Sequence, residues 1–310
     1  MGVVQKILLW GSQQSWLEQQ ARRRKFARRS ALRFTPGEDI DAALGAVNKF
    51  HAAGITSMVH ELGENVVDPQ KTDEATQHYL KAIDCVGDAG QDAQISLKLT
   101  HIGLDLGTEQ AYRNVAKLTE RASAKKKLVW IDMEGSAYTD ATLEIFRRAK
   151  KEFGNVGVCL QSYLHRTSRD LEELIDLGPT IRATKGAYNE SPSIAYQQPE
   201  EIDEGFMKIC ERLLRDDARQ AGAFLSAATH DDKLIAQLTE HAEARGITKD
   251  QYEIQMLYNI REPRQFELAK LGYRVRVYVS YGVNWFPWLM RRLAERPANL
   301  VEVMKNVFRG

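Results

Sequence analysis

Short apolar runs rich in β-branched residues recur along the chain near 54–60, 94–100, 127–133, 156–162, 180–185, 223–229, 252–258 and 274–280. Between them lie polar segments whose apolar residues return every three or four positions, as in TDEATQHYLKAIDCVGDAG and EIDEGFMKICERLLRDDARQAG. The two periods predict strands alternating with amphipathic helices. Eight such units in one chain point to an α/β fold of the closed (β/α)8 barrel type. An open doubly wound sheet would want a Gly-rich turn after its first strand. The chain has neither G-x-G-x-x-G nor a P-loop. The expected organisation is a helical arm over 1–53 and a barrel over 54–310.

Alternation inside the strands says more. In ISLKLT, Ile95, Leu97 and Leu99 oppose Ser96, Lys98 and Thr100. In RVRVYVS, Val275, Val277 and Val279 oppose Arg276, Tyr278 and Ser280, and in YEIQMLY, Ile254 and Met256 oppose Glu253, Gln255 and Leu257. One face of a barrel strand meets the helices and is apolar, so the polar face points inward. Buried charge is costly unless paired. Polar residues at the C-terminal strand ends fit a ligand site at the end where barrels of this type carry their chemistry. Parity and strand end select Lys98, Asp132, Gln161, Arg182, Lys185, His230, Gln255, Arg276 and Tyr278. Each alone has an ordinary structural explanation: Lys98 with Asp132, for example, reads as a barrel-top ion pair. Their convergence from several strands is what points to a site.

Composition narrows the classes. The 310 residues are 43% hydrophobic and 27% charged with net charge +1, which describes an ordinary globular chain with no signature of nucleic-acid binding. The three cysteines (Cys85, Cys159, Cys210) form no C-x-x-C and read as reduced thiols of a cytoplasmic protein; no metal centre is expected. No apolar run reaches membrane-span length, and the N-terminus lacks the pattern of a secretory signal. Residues 21–33 hold six arginines and a lysine with no acid, which fits a solvated basic helix, a contact with anionic lipid at the inner membrane face, or a transit segment. In WFPWLMRRLAERP, residues 285–297, Phe286, Leu289, Met290 and Leu293 recur at helical spacing while Arg291, Arg292 and Glu295 share the other side. An exposed ion-paired face is the plain reading of that helix; a carboxylate clamp over the barrel mouth is the sharper one. KGAY at 185–188 exposes backbone amides suited to phosphate or a flavin edge.

Taken together, SLKLT, IDME, LQSY, RATKGAY, ATH, QMLY and RVRVYVSYG, followed by RRLAER, resemble the monofunctional bacterial proline dehydrogenases over essentially the whole chain. The resemblance implies a distorted (β/α)8 barrel with non-covalent FAD across the C-terminal strand ends. It implies oxidation of L-proline to 1-pyrroline-5-carboxylate by hydride transfer to flavin N5, with electrons passed to a membrane quinone. A pyrroline-5-carboxylate dehydrogenase would act next, completing proline catabolism to glutamate. Carried onto these positions, Lys98, Arg291 and Arg292 would hold the substrate carboxylate, and Asp132 would support Lys98. Tyr278 and Leu257 would pack on the proline ring. Met133, Gln161, Arg182, Lys185, Gly186, Ala187, Thr229, His230 and Gln255 would line the flavin, with Arg182 near N5. Glu295 would orient the arginines on the cofactor side, and Glu64 would pair with Arg291 as a gate. Two departures stand out: Ser280 where the family usually has proline, and Ala183 with Thr184 where it has larger apolar residues. Methylenetetrahydrofolate reductase, also an FAD barrel, is the nearest rival, but a double-arginine clamp is less expected there. A metal-dependent aldolase would want two histidines and two carboxylates at strand ends, and an inactive membrane scaffold would not need inward Lys98, Asp132 and Tyr278.

Overall fold

The structure, a computed structural model, describes residues 10, 11, 14–22, 34–286, 289 and 290. Its eight strands are β1 (Thr56–Glu61), β2 (Ala93–Leu97), β3 (Val129–Ile131), β4 (Val156–Gln161), β5 (Thr180–Thr184), β6 (Phe224–Ala228), β7 (Tyr252–Leu257) and β8 (Val275–Tyr281). They pair in sequence order, all parallel, and β8 closes on β1 with Met58 beside Tyr278 and His60 beside Ser280. This is the (β/α)8 barrel that the alternation predicts. Ser280 therefore lies inside β8, where it is buried.

The described helices are α1 (Ser15–Arg22), α2 (Ile40–His51), α3 (Pro69–Asp88), α4 (Thr108–Ala124), α5 (Thr139–Phe153), α6 (Thr167–Glu172), α7 (Pro199–Leu213), α8 (Asp216–Gln220), α9 (Asp232–Ala244) and α10 (Glu262–Lys270). Several starts are written in the sequence. Asp39, Asp68 and Asp231 each accept a backbone N–H of the first turn, from Ala42, Gln70 and Lys233, and Pro69 fits the first position of α3. Helix α2 lays Ala43, Val47 and Phe50 against β1 and β8. The main core fills the layer between strands and helices, with Ile95, Leu97, Val129, Ile131, Val156 and Val158 pointing outward into it. Each such side chain contributes ~1.5–3 kcal/mol on burial.

The barrel interior is polar in its upper part and plugged below. Gly157 makes room for the Trp130 ring, since a Cβ there would sit 2.7 Å from it. Arg276 belongs to this lower layer. It is fully buried, donates from Nε to Glu253 Oε2 at 2.9 Å and from Nη1 to the Ser57 carbonyl at 2.8 Å, and meets Asp92 at 3.2 Å. The expectation that Arg276 lines the ligand site is thus corrected. It shares a face with Tyr278 but pairs with Thr56 at the entry end of β1, two residues below the Met58–Tyr278 pair. Alternation reports the face of a strand, not the depth along it.

Candidate active site

A cavity of about 820 Å³ opens at the C-terminal strand ends. Lys98, Asp132, Met133 and Gln161 line it from the β2, β3 and β4 ends. Arg182, Lys185, Gly186 and Ala187 come from β5 and the loop after it, and Thr229 and His230 follow β6. Gln255, Leu257 and Tyr278 complete the wall from β7 and β8. Glu64 reaches the cavity through an ion pair with Lys98. Arg291, Arg292 and Glu295 lie outside the described residues, so the expected Glu64–Arg291 gate falls partly outside them too.

Asp132 is the electrostatic centre. Its Oδ1 accepts from Arg182 Nη1 and from Ser96 Oγ at 2.8 Å; its Oδ2 accepts from the Tyr278 hydroxyl at 2.7 Å. Burial is the largest single influence and pushes its pKa up, but Arg182, His60, Tyr278 and Ser96 together outweigh burial and hold it below the usual carboxylate range. Asp132 therefore stays ionised with its lone pairs engaged. The expected partnership of Asp132 with Lys98 is replaced: Lys98 pairs with Glu64, and Asp132 pairs with Arg182. Arg182 is buried, its guanidinium 4.6 Å from the Trp130 ring centre and 5.2 Å from that of Tyr278. Burial, then the Asp132 charge, raises the Tyr278 phenol well above its ordinary pKa, so it remains a hydrogen-bond donor.

The β5 side of the wall is built from local devices. Gly186 has φ +115°, a left-handed conformation that favours glycine, and a Cβ there would strike the Tyr163 ring at 2.3 Å. Lys185 is steadied by Asp203 at 2.5 Å and Asp231 at 3.3 Å. His230 Nε2 accepts the Leu257 backbone N–H at 3.1 Å, which places the proton of a neutral ring on Nδ1. Gln161 Nε2 donates to the Glu134 carbonyl at 2.8 Å.

Sequence reasoning did not assign several wall residues with chemistry of their own to the site, among them His60 and Arg261. His60 lines the cavity on β1, its ring 5.4 Å from that of Tyr278. Its Nδ1 lies 3.1 Å from the Ser96 carbonyl, so that nitrogen carries the proton and Nε2 keeps its lone pair. Burial lowers its pKa to about 4, with Lys98 and Arg182 adding and Asp132 opposing. The period-2 pattern of TSMVHE puts His60 on the inner face with Met58, which was the available signal. Arg261, after β7, also lines the cavity, donating to the His230 carbonyl and pairing with Asp232. A lone arginine in a loop carries no comparable signal.

The fold agrees with comparisons across known proteins. A sequence profile described as proline dehydrogenase matches residues 43–305. Proline dehydrogenase 1 of Bacillus subtilis (strain 168) is 37% identical over 282 residues, 91% of this chain and 92% of its own. The proline dehydrogenase of Deinococcus radiodurans is 37% identical over an alignment of 314 residues, 98% of each chain. Among solved structures, proline utilization A (PutA) from Bdellovibrio bacteriovorus, inactivated by N-propargylglycine, matches 86% of this chain with TM-score 0.79. At 22% identity that likeness speaks for the fold, and the chain spans 32% of that protein's length. The profile match and the two relatives carry the assignment: the chain belongs to the proline dehydrogenase family of oxidoreductases.

Proposed function

We propose that this protein binds FAD non-covalently at the barrel mouth, oxidises L-proline to 1-pyrroline-5-carboxylate and passes the electrons to a membrane quinone. The observation that carries the reading is the Arg182–Asp132–Tyr278 cluster, with Lys98 beside it, in a cavity at the C-terminal strand ends. The residues fit the cofactor. The cavity is near the upper end of the ~300–1,000 Å³ usual for small-molecule sites, more than an amino acid alone needs. Its β5 side offers the Lys185–Ala187 backbone and the Lys185 cation, and Arg261 adds a second cation from the loop after β7; these suit a dinucleotide's anionic and polar groups.

FAD, when bound, supplies the hydride acceptor. The chain's own residues do the rest. Lys98 attracts the substrate carboxylate, and Arg291 and Arg292 complete the clamp from the helix read in the sequence. Tyr278 and Leu257 pack on the ring. Arg182, fixed by Asp132, would supply positive charge on the acceptor side, where negative charge develops as the hydride is received. Lys98 and Arg182 also disfavour a protonated amine, so the substrate nitrogen is held neutral, as hydride loss beside it requires. Glu64 acts as the gate, and Met133, Gln161, Thr229, His230 and Gln255 border the cofactor. The basic stretch over 21–33 brings the enzyme to anionic membrane, where the quinone resides, from the cytoplasmic side; a pyrroline-5-carboxylate dehydrogenase consumes the product. Among the described residues no helix is long and apolar enough to cross a membrane.

The test is direct. The purified protein should be yellow, hold about one FAD per chain, and be bleached by L-proline under anaerobic conditions without NAD. A colourless protein that takes up no FAD on reconstitution would remove the reading.

A further inference from the structure

From the cavity wall, a chain of hydrogen bonds runs down the inside of the barrel to residues beneath it. Arg182 Nε donates to Gln255 Oε1 at 2.8 Å. Gln255 Nε2 donates to Glu253 Oε1 at 2.7 Å, and Ser226 Oγ reaches the same oxygen at 3.2 Å. Glu253 Oε2 accepts from Arg276 Nε at 2.9 Å and faces Arg274 Nε at 3.3 Å. Glu253, Gln255 and Arg182 are each at least 96% buried, so water does not substitute for these partners. The order of donors is forced. A guanidinium nitrogen only donates and a carboxylate only accepts, so the Gln255 amide has one allowed orientation: oxygen toward Arg182, nitrogen toward Glu253.

We propose that Glu253 is a positioning residue for the oxidation chemistry: by accepting from Gln255 Nε2 it locks the amide that aims the Arg182 guanidinium at Asp132 and the site above. The inference builds on the proposed function, since it gives Arg182 its working orientation. It adds a role for a carboxylate that lies beneath the cavity and outside its wall.

The logic makes an unusual demand on substitutions. In Glu253→Gln the new amide must present oxygen to the Arg276 cation, which turns its NH2 toward Gln255. Gln255 then flips to accept, and its own NH2 confronts Arg182 Nε, donor against donor. In Gln255→Glu alone, two carboxylates face each other across the same contact. The double variant Glu253→Gln/Gln255→Glu restores every donor–acceptor pair with the formal charge moved one residue up the column.

The experiment compares the parent, both single variants and the double. One readout uses the proteins as purified, labelled with 15N-arginine: hydrogen-exchange protection of the Arg182 Nε–H, assigned through Arg182→Lys. The other readouts are kcat, KM and the midpoint potential of the bound flavin. Each single variant should lose the protection and lower kcat by roughly tenfold to a hundredfold with KM within about twofold, and the midpoint potential should move negative. The double variant should recover the Arg182 Nε–H protection that each single variant loses; its kcat is not expected to match the parent's, because Gln255→Glu places a charge on the cavity wall. If Glu253 only neutralises Arg276, the Arg182 Nε–H of the double will stay as unprotected as in Glu253→Gln, and the proposal falls. It falls equally if the single leaves Arg182 protection and kcat unchanged. Should a single variant not fold, refolding of the double supports the column, and an unfolded double overturns it. A parent that neither holds FAD nor oxidises proline would instead sink the functional reading, while the Arg182 exchange data would still judge the column.

Discussion

At the scale of single residues, the site is a problem of pairing charges out of water. Asp132 accepts from Arg182, Ser96 and Tyr278, so both of its oxygens are met by donors. Removing one member leaves different debris. Asp132→Asn would keep the shape but leave the Arg182 cation without its carboxylate, a loss of about 3–5 kcal/mol for a broken buried pair. Tyr278→Phe removes a single donor from a carboxylate that keeps two others, so about 1–2 kcal/mol is expected. Chemical unfolding should therefore rank Asp132→Asn well below Tyr278→Phe in stability, with kcat following the same order. Equal losses would mean that the Arg182–Asp132 pair contributes no more than a neutral hydrogen bond. Most of these residues were visible before the structure, because strand alternation marks the inward face. Arg276 and Glu253 were equally visible as inward, yet lie below the site. Depth depends on the stagger between neighbouring strands, and no single strand's sequence encodes it. His60 was passed over for the opposite reason: one histidine in an apolar strand reads as core until its neighbours across the barrel are known.

At the scale of elements, strands and most helices were legible because period and punctuation agree. The predicted strand runs overlap all eight observed strands, with ends displaced by a few residues, as in β3, which spans only Val129–Ile131. Aspartates before α2, α3 and α9 are start signals that the structure uses as caps. Asp231 shows how a start signal also serves the site. It caps α9 through Lys233 N–H at 3.0 Å, contacts Lys185 at 3.3 Å, and its own N–H donates to Thr229 Oγ1 at 3.1 Å. The turn carrying Thr229 and His230 is thus tied to the helix start. Asp231→Asn keeps the cap and weakens only a half-exposed ion pair, so a loss of a few tenths of a kcal/mol is expected. Asp231→Ala should cost about 1 kcal/mol and also weaken the proposed FAD binding by loosening the turn. The check is urea unfolding together with flavin titration. If Ala and Asn behave alike in both, the cap contributes nothing to this wall of the site.

At the scale of the whole molecule, burial of titratable groups couples acidity to stability. What the sequence could not supply is which histidines and acids the barrel encloses, because enclosure arises from contacts between distant segments. His60 is held near pKa 4 and His101 near 3, both chiefly by burial, against an ordinary value of 6.5. Glu61, on the same strand as His60, is pushed the other way by burial, from 4.5 to about 7. His101 approaches the Tyr79 hydroxyl at 3.5 Å, and that hydroxyl donates to the Glu61 carbonyl at 3.2 Å, so these groups occupy one region beside β1. Between pH 6.5 and 4.5, the unfolded chain gains protons at His60 and His101 that the native state refuses, which destabilises the fold as pH falls. Glu61 opposes this, since the native state holds a proton there that the unfolded chain has lost. Among His60, His101 and Glu61, two protons against one leaves a slope of about 1.4 kcal/mol per pH unit, with stability falling toward acid; His78, lowered by burial, adds to that side, and Glu134, raised by burial, adds to the side of Glu61. Urea unfolding across that window at fixed flavin content should show the slope. Glu61→Gln removes one opposing proton and should steepen it by about 1.4 kcal/mol per unit, while His101→Asn should make it shallower by the same amount. An identical slope in all three proteins would mean that these side chains titrate as they do in water, and that the enclosure beside β1 is looser than its contacts indicate.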